Sequence, residues 1–304
     1  MDEKGDRVVD ECEFYLEDLK SKFSKINPDE YYLAYSGGRD SHFLLWFIRE
    51  YLHETRIPAV YSNTGMDIPE IRERARANAD VVLKPSMHPF KVKEKYGIPL
   101  ASKRQDDYIY RYQQLVRRGV SEADMPYTMH LKIIRDADWK KKDGSVYTHL
   151  PGMVNLKVCE ALRSGTLHKV SNKCCEYSKK RSGDIWSKAN HRKPIIGIMG
   201  EESEARKKMS IKGCFSKKGT FYPIHDLTEE LEEKIEKQYD IPVPTIYNVV
   251  KQTGCAGCPY GLHNRNSFNY EMNVLPESQR AFTTEYFKES YEFRGYQFEP
   301  LLFT

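Results

Sequence analysis

Three groups of residues have types and spacings that could do chemistry. The first is Ser36-Gly37-Gly38-Arg39-Asp40-Ser41. Paired glycines let a backbone approach a phosphate closely, and flanking serines add hydroxyl donors. A helix starting directly behind them would aim its N–H groups and positive dipole end at the anion. Asp40 is out of place in a pure anion site and fits better beside magnesium, or as an orienter of the loop. The string is not a Walker loop, which needs GxxxxGK[ST]; its plain alternative is a capped turn between strand and helix.

The second group is the vicinal pair Cys174-Cys175 with Cys255-x-x-Cys258 further along. A CxxC spacing lets both thiolates face one ion or cluster, and Pro259 after the second thiol is a feature of iron–sulfur sites. Adjacent cysteines diverge, which is unusual for zinc, yet structural zinc stays open as the alternative. The third group is a basic stretch, Lys173, Lys179, Lys180, Arg181, Lys188, Arg192 and Lys193, with Trp186 among them. Such charges favour a thiolate, or hold a phosphate or sulfur oxyanion. Aromatic interleaving also suits a nucleic-acid groove; a solvated face is the equal alternative.

The elements that must carry these groups alternate. Apolar residues at helical spacing predict a helix over 8–26, with Cys12 on its core face. Tyr31–Tyr35 reads as a strand, Ser41–Leu52 as a helix, Ile57–Tyr61 as a second strand, 69–78 as a helix and Val81–Lys84 as a third strand. That alternation predicts an α/β fold with a parallel twisted sheet and helices on both faces. Helical pieces are expected around 106–118, 128–136 and 155–190. Pro194–Met199 reads as a buried strand, Leu227–Gln238 as a charged helix, and the part after Gly254 as loop-rich.

Composition supports an ordered chain: 13 Phe, 21 Tyr and 3 Trp among 304 residues can build a core, which excludes disorder throughout. A net charge of +4 permits nucleotides or nucleic acid without demanding either. No apolar run approaches the ~20 residues of a membrane span, and the charged N-terminus has no signal-peptide core. A cytoplasmic protein is expected, with the seven cysteines as free thiols, metal ligands or catalytic sulfur.

Taken in order, the motifs resemble the phosphoadenylylsulfate (PAPS) reductase-like family of the adenine-nucleotide α-hydrolase-like, N-type ATP pyrophosphatase superfamily. SGGRDS is similar to that family's pyrophosphate loop and NTGMDIPEI (63–71) to its TG…PET loop. KVKEKYGIP (91–99) is similar to its helix before a glycine–proline turn. GIMGEESEARKK (197–208) resembles GxRxxESxxR, YPIHDLT (222–228) the PI…W segment, and IPVPTIYNVVKQTGCAGCP (241–259) the closing run with its Tyr and CxxC. Met199 stands where Arg is usual, and Leu227 where Trp is usual.

The resemblance implies a Rossmann-like (HUP-type) domain over 29–250 with an insertion about 105–190. A helix over 1–28 precedes it, and a helical and loop-rich, cysteine-containing extension follows over 251–304. It implies ATP with Mg2+ at Ser36, Gly37, Gly38, Arg39, Asp40, Ser41, Thr64, Gly65, Glu202 and Ser203, with Asp40, Ser41 and Arg206 in catalysis. The cysteine pattern is similar to the [4Fe-4S] signature of adenylylsulfate reductases, and implies Cys174, Cys175, Cys255 and Cys258 as ligands. Cys159 and Cys214 are undecided, with persulfide carriage a minor option for Cys214.

Two chemistries share such a scaffold. Sulfonucleotide reduction to sulfite uses a cysteine in a C-terminal ECGLH-like tail, where this chain reads EFRGYQFEPLLFT. Adenylation with pyrophosphate release, followed by sulfur transfer, uses an intact loop such as SGGRDS. The second is the expectation, with a sulfur donor such as a cysteine desulfurase and a nucleic-acid acceptor, as in phosphorothioation or thiolation. No membrane partner is expected, and a homo-oligomer or a complex with other proteins is. A non-catalytic nucleotide-binding module is the third reading.

Overall fold

The computed structural model describes residues 10–136, 153–201, 204–207, 214–251 and 253–299. The chain divides into two compact units, each made of two segments: Met1–Lys84 with Lys180–Thr253, and Pro85–Lys179 with Gly254–Thr304. The part expected to stand as an extension from 251 therefore falls, from Gly254 on, in one unit with 85–179.

The first unit opens with helix α1, Glu11–Phe23. Asp10 caps it by accepting from the Cys12 N–H at 3.2 Å. Glu11 and Glu13 in its first turn, with Lys20 and Lys22 in its last, complement the helix dipole. Its stripe of Cys12, Tyr15, Leu16, Leu19 and Phe23 is buried. Strand β1 (Tyr31–Tyr35), helix α2 (Arg39–Trp46), strand β2 (Ala59–Ser62), helix α3 (Pro69–Asn78) and strand β3 (Val81–Leu83) follow. Strand β4 is Lys193–Ile195.

Among the described residues the four strands of the sheet are parallel, in the order β3-β2-β1-β4, an α/β arrangement of Rossmann-like type. Strand β1 is covered on both faces: Tyr31, Leu33 and Tyr35 join the core with α1 and α2, while Tyr32 meets the Trp186 ring at 5.0 Å from the helix Arg181–Ala189. Burial on both faces is why YYLAY is apolar throughout rather than alternating.

The expected helix 41–52 begins two residues earlier and ends in a π-helical turn, Phe47–Tyr51. Strand β4 stops at Ile195, short of the expected Met199, because Ile196 N–H turns to the Phe221 carbonyl at 2.9 Å.

The second unit is helical. Helix α4 is Pro89–Tyr96, and helix α5 (Lys103–Arg117) packs with Leu156–Arg163 around Leu100, Ile109, Met129, Ile133, Val158 and Val170. Cys159 lies in that core, so it is structural, as Cys12 is in the first unit. The region after Gly254, read as loop-rich, carries helices Arg265–Asn273 and Glu277–Arg294. The second of these buries Tyr286, Phe287, Ser290 and Tyr291 on one face, an aromatic stripe at helical spacing. Among the described residues no helix is long and apolar enough to cross a membrane.

His168 ties this unit together: its Nε2–H donates to Ser290 Oγ at 3.0 Å, and that hydroxyl donates to the Pro99 carbonyl at 2.6 Å. Burial lowers the His168 pKa to about 4. Between that value and the ordinary 6.5 the unfolded chain binds the proton and the folded chain does not, so stability falls as pH falls through this window. His168→Gln is expected to lose about 2–3 kcal/mol less than the parent between pH 7 and pH 4.5, measured by urea unfolding at each pH.

Candidate functional site

Strand β1 delivers the chain into the SGGRDS turn and α2 leaves from it. Gly37 has φ of 75°, and a Cβ there would lie 2.5 Å from the Ile71 carbonyl oxygen, so only glycine fits. Arg74 of α3 holds the Gly37 carbonyl through Nε at 2.8 Å and Nη2 at 2.6 Å, and reaches the Pro242 carbonyl at 2.8 Å.

Three N–H groups of the turn find hydroxyls: Ser36 N–H donates to Ser41 Oγ (3.2 Å), Gly38 N–H to Ser36 Oγ (3.2 Å) and Arg39 N–H to Tyr247 Oη (3.0 Å). Ser41 is buried; its hydroxyl also lies 2.9 Å from Ser36 Oγ and donates to the Gly38 carbonyl at 3.1 Å. Neutral hydroxyls are weak acceptors beside a phosphate oxygen, so an anion can replace them at these donors.

A cleft of about 570 Å³ opens here, within the size range of small-molecule sites. Ala34 and Ser36 line it from the end of β1, Ile196 and Gly197 from the end of β4, and Asp40, Ser41, Arg206, Glu232, Tyr247 and Lys251 are among the other lining residues. Strand order reverses between β1 and β4, and ligands of open α/β sheets bind at such switch points. A Cβ on Gly197 would lie 3.2 Å from the Asp40 carbonyl, which shows how closely the segment after β4 meets the first turn of α2.

Charge in the cleft is mixed. Burial pushes the Asp40 carboxyl up, opposed by Arg206 and Arg39; burial lowers Arg206, opposed by Asp40. Arg39, expected on the nucleotide, lines the cleft, and its guanidinium also pairs with acids. Nε meets both Glu236 carboxylate oxygens at 3.0 and 2.9 Å, and Nη1 meets Glu233 at 3.4 Å. Thr64 is buried and donates to Asp67 Oδ2 at 2.9 Å, and neither it nor Gly65 lines the cleft. Glu202 and Ser203 lie outside the described residues.

Sequence reasoning missed Arg74 and Glu232. Glu232 sits on the helix Glu229–Gln238, read only as charged, where Glu232, Ile235 and Glu236 are the buried positions. Glutamates alternating with apolar residues on one helical stripe were the available signal. Burial, with Asp40 and Glu236 nearby, pushes the Glu232 carboxyl up to about 9.

The cysteine pairs come together in the second unit. Cys174 and Cys175 close a short helical turn, Lys173–Cys175. Cys258 N–H donates to the Cys255 carbonyl at 3.1 Å, closing the CxxC turn. Gly257 inside it has φ of 67°, and Tyr291 donates its hydroxyl to the Gly257 carbonyl. Cys175, Cys258 and Cys255 all push the Cys174 thiol up, as burial does, so the four sulfurs share one neighbourhood. Among the described residues no three His, Cys, Asp or Glu side chains stand where they could hold a metal ion. What these residues offer a thiolate-bound metal is donor chemistry alone, four soft sulfurs.

Cys214, at φ of 69°, packs beside the first unit's core. Part of the basic stretch builds structure: Lys173 pairs with Glu176 at 2.6 Å, and Arg192 donates to the carbonyls of Pro28, Tyr31 and Arg56. No family model matches the chain, and no curated protein is significantly similar to it.

Proposed function

We propose that this protein binds ATP with Mg2+ at the SGGRDS turn, adenylates a substrate with release of pyrophosphate, and transfers sulfur to the activated position, with nucleic acid as the acceptor class. The observation that carries this reading is the turn itself. It lies at the β1–β4 switch point, with three N–H groups resting on replaceable hydroxyls and the start of α2 behind them.

In the reaction a substrate oxygen attacks the α-phosphorus, an oxygen–phosphorus bond forms, and the bond to the bridging oxygen of the pyrophosphate breaks. Negative charge grows on the departing group. Backbone N–H groups of the turn, fixed in advance by the Arg74 grip on Gly37, stabilise that charge without reorganising. Arg206 and Lys251, in the cleft wall, add positive charge. Asp40 would hold Mg2+, which supplies charge neutralisation between phosphate oxygens. Sulfide then bonds to the activated centre, the bond from that centre to the adenylate oxygen breaks, and AMP leaves with the electron pair. Cys174, Cys175, Cys255 and Cys258 would hold the iron–sulfur cluster, whose supplied chemistry is the binding or relay of sulfur.

The test is anaerobic purification with iron and zinc counted, followed by pyrophosphate release from ATP beside sulfite release from adenylylsulfate. Pyrophosphate release is expected, reduced about 100-fold by Asp40→Ala or Ser41→Ala, and Cys258→Ser is expected to lose the iron. Sulfite release would replace this reading with sulfonucleotide reduction. ATP binding without turnover, with candidate acceptors present, would replace it with a nucleotide-binding module, and zinc in place of iron would remove the cluster.

A further inference from the structure

Glu232 is fully buried in the wall of the cleft, and neither of its carboxylate oxygens has a hydrogen-bond partner. Its closest opposite charge is Arg39 Nε, 3.5 Å from Oε2, and that N–H is directed to Glu236 at 2.9–3.0 Å. Asp40, Glu236 and Glu229 also act on it and are acidic, while Arg206 and Lys251 line other parts of the cleft wall. A buried carboxyl with no donor costs free energy that an apolar residue at the same helical position would not. An anion would be repelled here, and the phosphate-binding N–H groups are already assigned.

Asp40 and Glu232 line the same cleft, and the ligand that satisfies two acids in one phosphate-type cleft is a divalent cation. Mg2+ takes one or two carboxylates and fills its other positions with water and substrate phosphate oxygens. That needs no three-residue protein cage, in keeping with the absence of one among the described residues. We propose that Glu232 and Asp40 together form a divalent-cation site at the mouth of the SGGRDS turn, completed by phosphate oxygens of the bound nucleotide. The completion rests on the ATP reading above; the carboxylate pair does not.

Mn2+ is the probe, followed by electron paramagnetic resonance on the full chain, alone and with the non-cleavable analogue α,β-methylene-ATP. Mn2+ is expected to bind the parent without nucleotide and at least tenfold more tightly with it. Glu232→Gln should weaken Mn2+ at least tenfold in both conditions, Glu232→Asp should weaken it too, and the exposed Glu230→Gln should not. Nucleotide affinity in EDTA should stay within twofold of the parent for Glu232→Gln, which also reports that the variant is folded. Mn2+ affinity unchanged within twofold in folded Glu232→Gln, or no Mn2+ binding by the parent, overturns the proposal. If the analogue fails to bind while Mn2+ binding still depends on Glu232, the ATP reading fails and the cation pair stands. If the analogue tightens Mn2+ and Glu232→Gln changes nothing, the reverse holds.

Discussion

Gly37→Ala is expected to abolish nucleotide binding and to destabilise the first unit by about 3 kcal/mol or more. The added methyl must accept φ of 75°, and it meets the Ile71 carbonyl oxygen at 2.5 Å and the Ala75 Cβ at 2.8 Å. Neither neighbour can give way cheaply: one is helical backbone and the other is a core side chain of α3. Moving the turn away from α3 would also break the Arg74 grip that sets the direction of its N–H groups. Gly65→Ala is the matched control. It has the same φ of 75° but nothing within 4 Å of the new methyl, and it should cost only the backbone preference, about 1 kcal/mol. Urea unfolding of the two variants, with calorimetric titration of ATP, separates steric exclusion from backbone preference. Equal losses in both variants would show that the close approach to α3 is unimportant.

Gly97→Ala is expected to be the most damaging single methyl in the second unit. Helix α4 ends there with φ of 91° and ψ of −169°, a combination open almost only to glycine. The new Cβ would stand 2.1 Å from the Lys169 carbonyl oxygen and 2.3 Å from its carbon. Those atoms belong to the bridge that joins Ile98 to Val170, with Ile98 N–H on the Lys169 carbonyl and Ser171 N–H on the Ile98 carbonyl, both at 3.1 Å. A loss of about 4 kcal/mol or more follows from combining strain with backbone overlap. Hydrogen exchange should show the Ile98 and Ser171 amides losing protection. Gly119→Ala, at φ of 75° in open space, should leave them protected. Protection retained in Gly97→Ala would mean that the bridge can open to admit a side chain.

Local patterning carried a large part of the structure. Strand Tyr31–Tyr35 and helix Pro69–Asn78 fall where apolar runs and the initial proline place them, because strand period and helix start are properties of neighbouring residues. The turn was legible for the same reason: glycines, serines and an acid in six residues between a strand and a helix report their own conformation. Register in the C-terminal part was legible in principle, since Tyr286, Ser290 and Phe287, Tyr291 repeat at i and i+4, but the glycines and prolines before them masked it.

What chain order could not state was which distant groups complete the site. Tyr247 reaches the Arg39 N–H across 208 positions, Glu236 takes the Arg39 guanidinium across 197, and Arg74 crosses 37 to the Gly37 carbonyl. Thr64, expected at the nucleotide, turns inward to Asp67, since a buried hydroxyl bonds the acceptor within reach. Glu232 reads in sequence as one more charge on a solvated helix, and only packing buries it with neither carboxylate oxygen hydrogen-bonded. Residue type and spacing thus determined the first strands and helices and the glycine turn between them. The direction of each polar side chain was decided by tertiary packing, because a hydrogen bond or an ion pair is set by distances across the fold, which spacing along the chain does not specify.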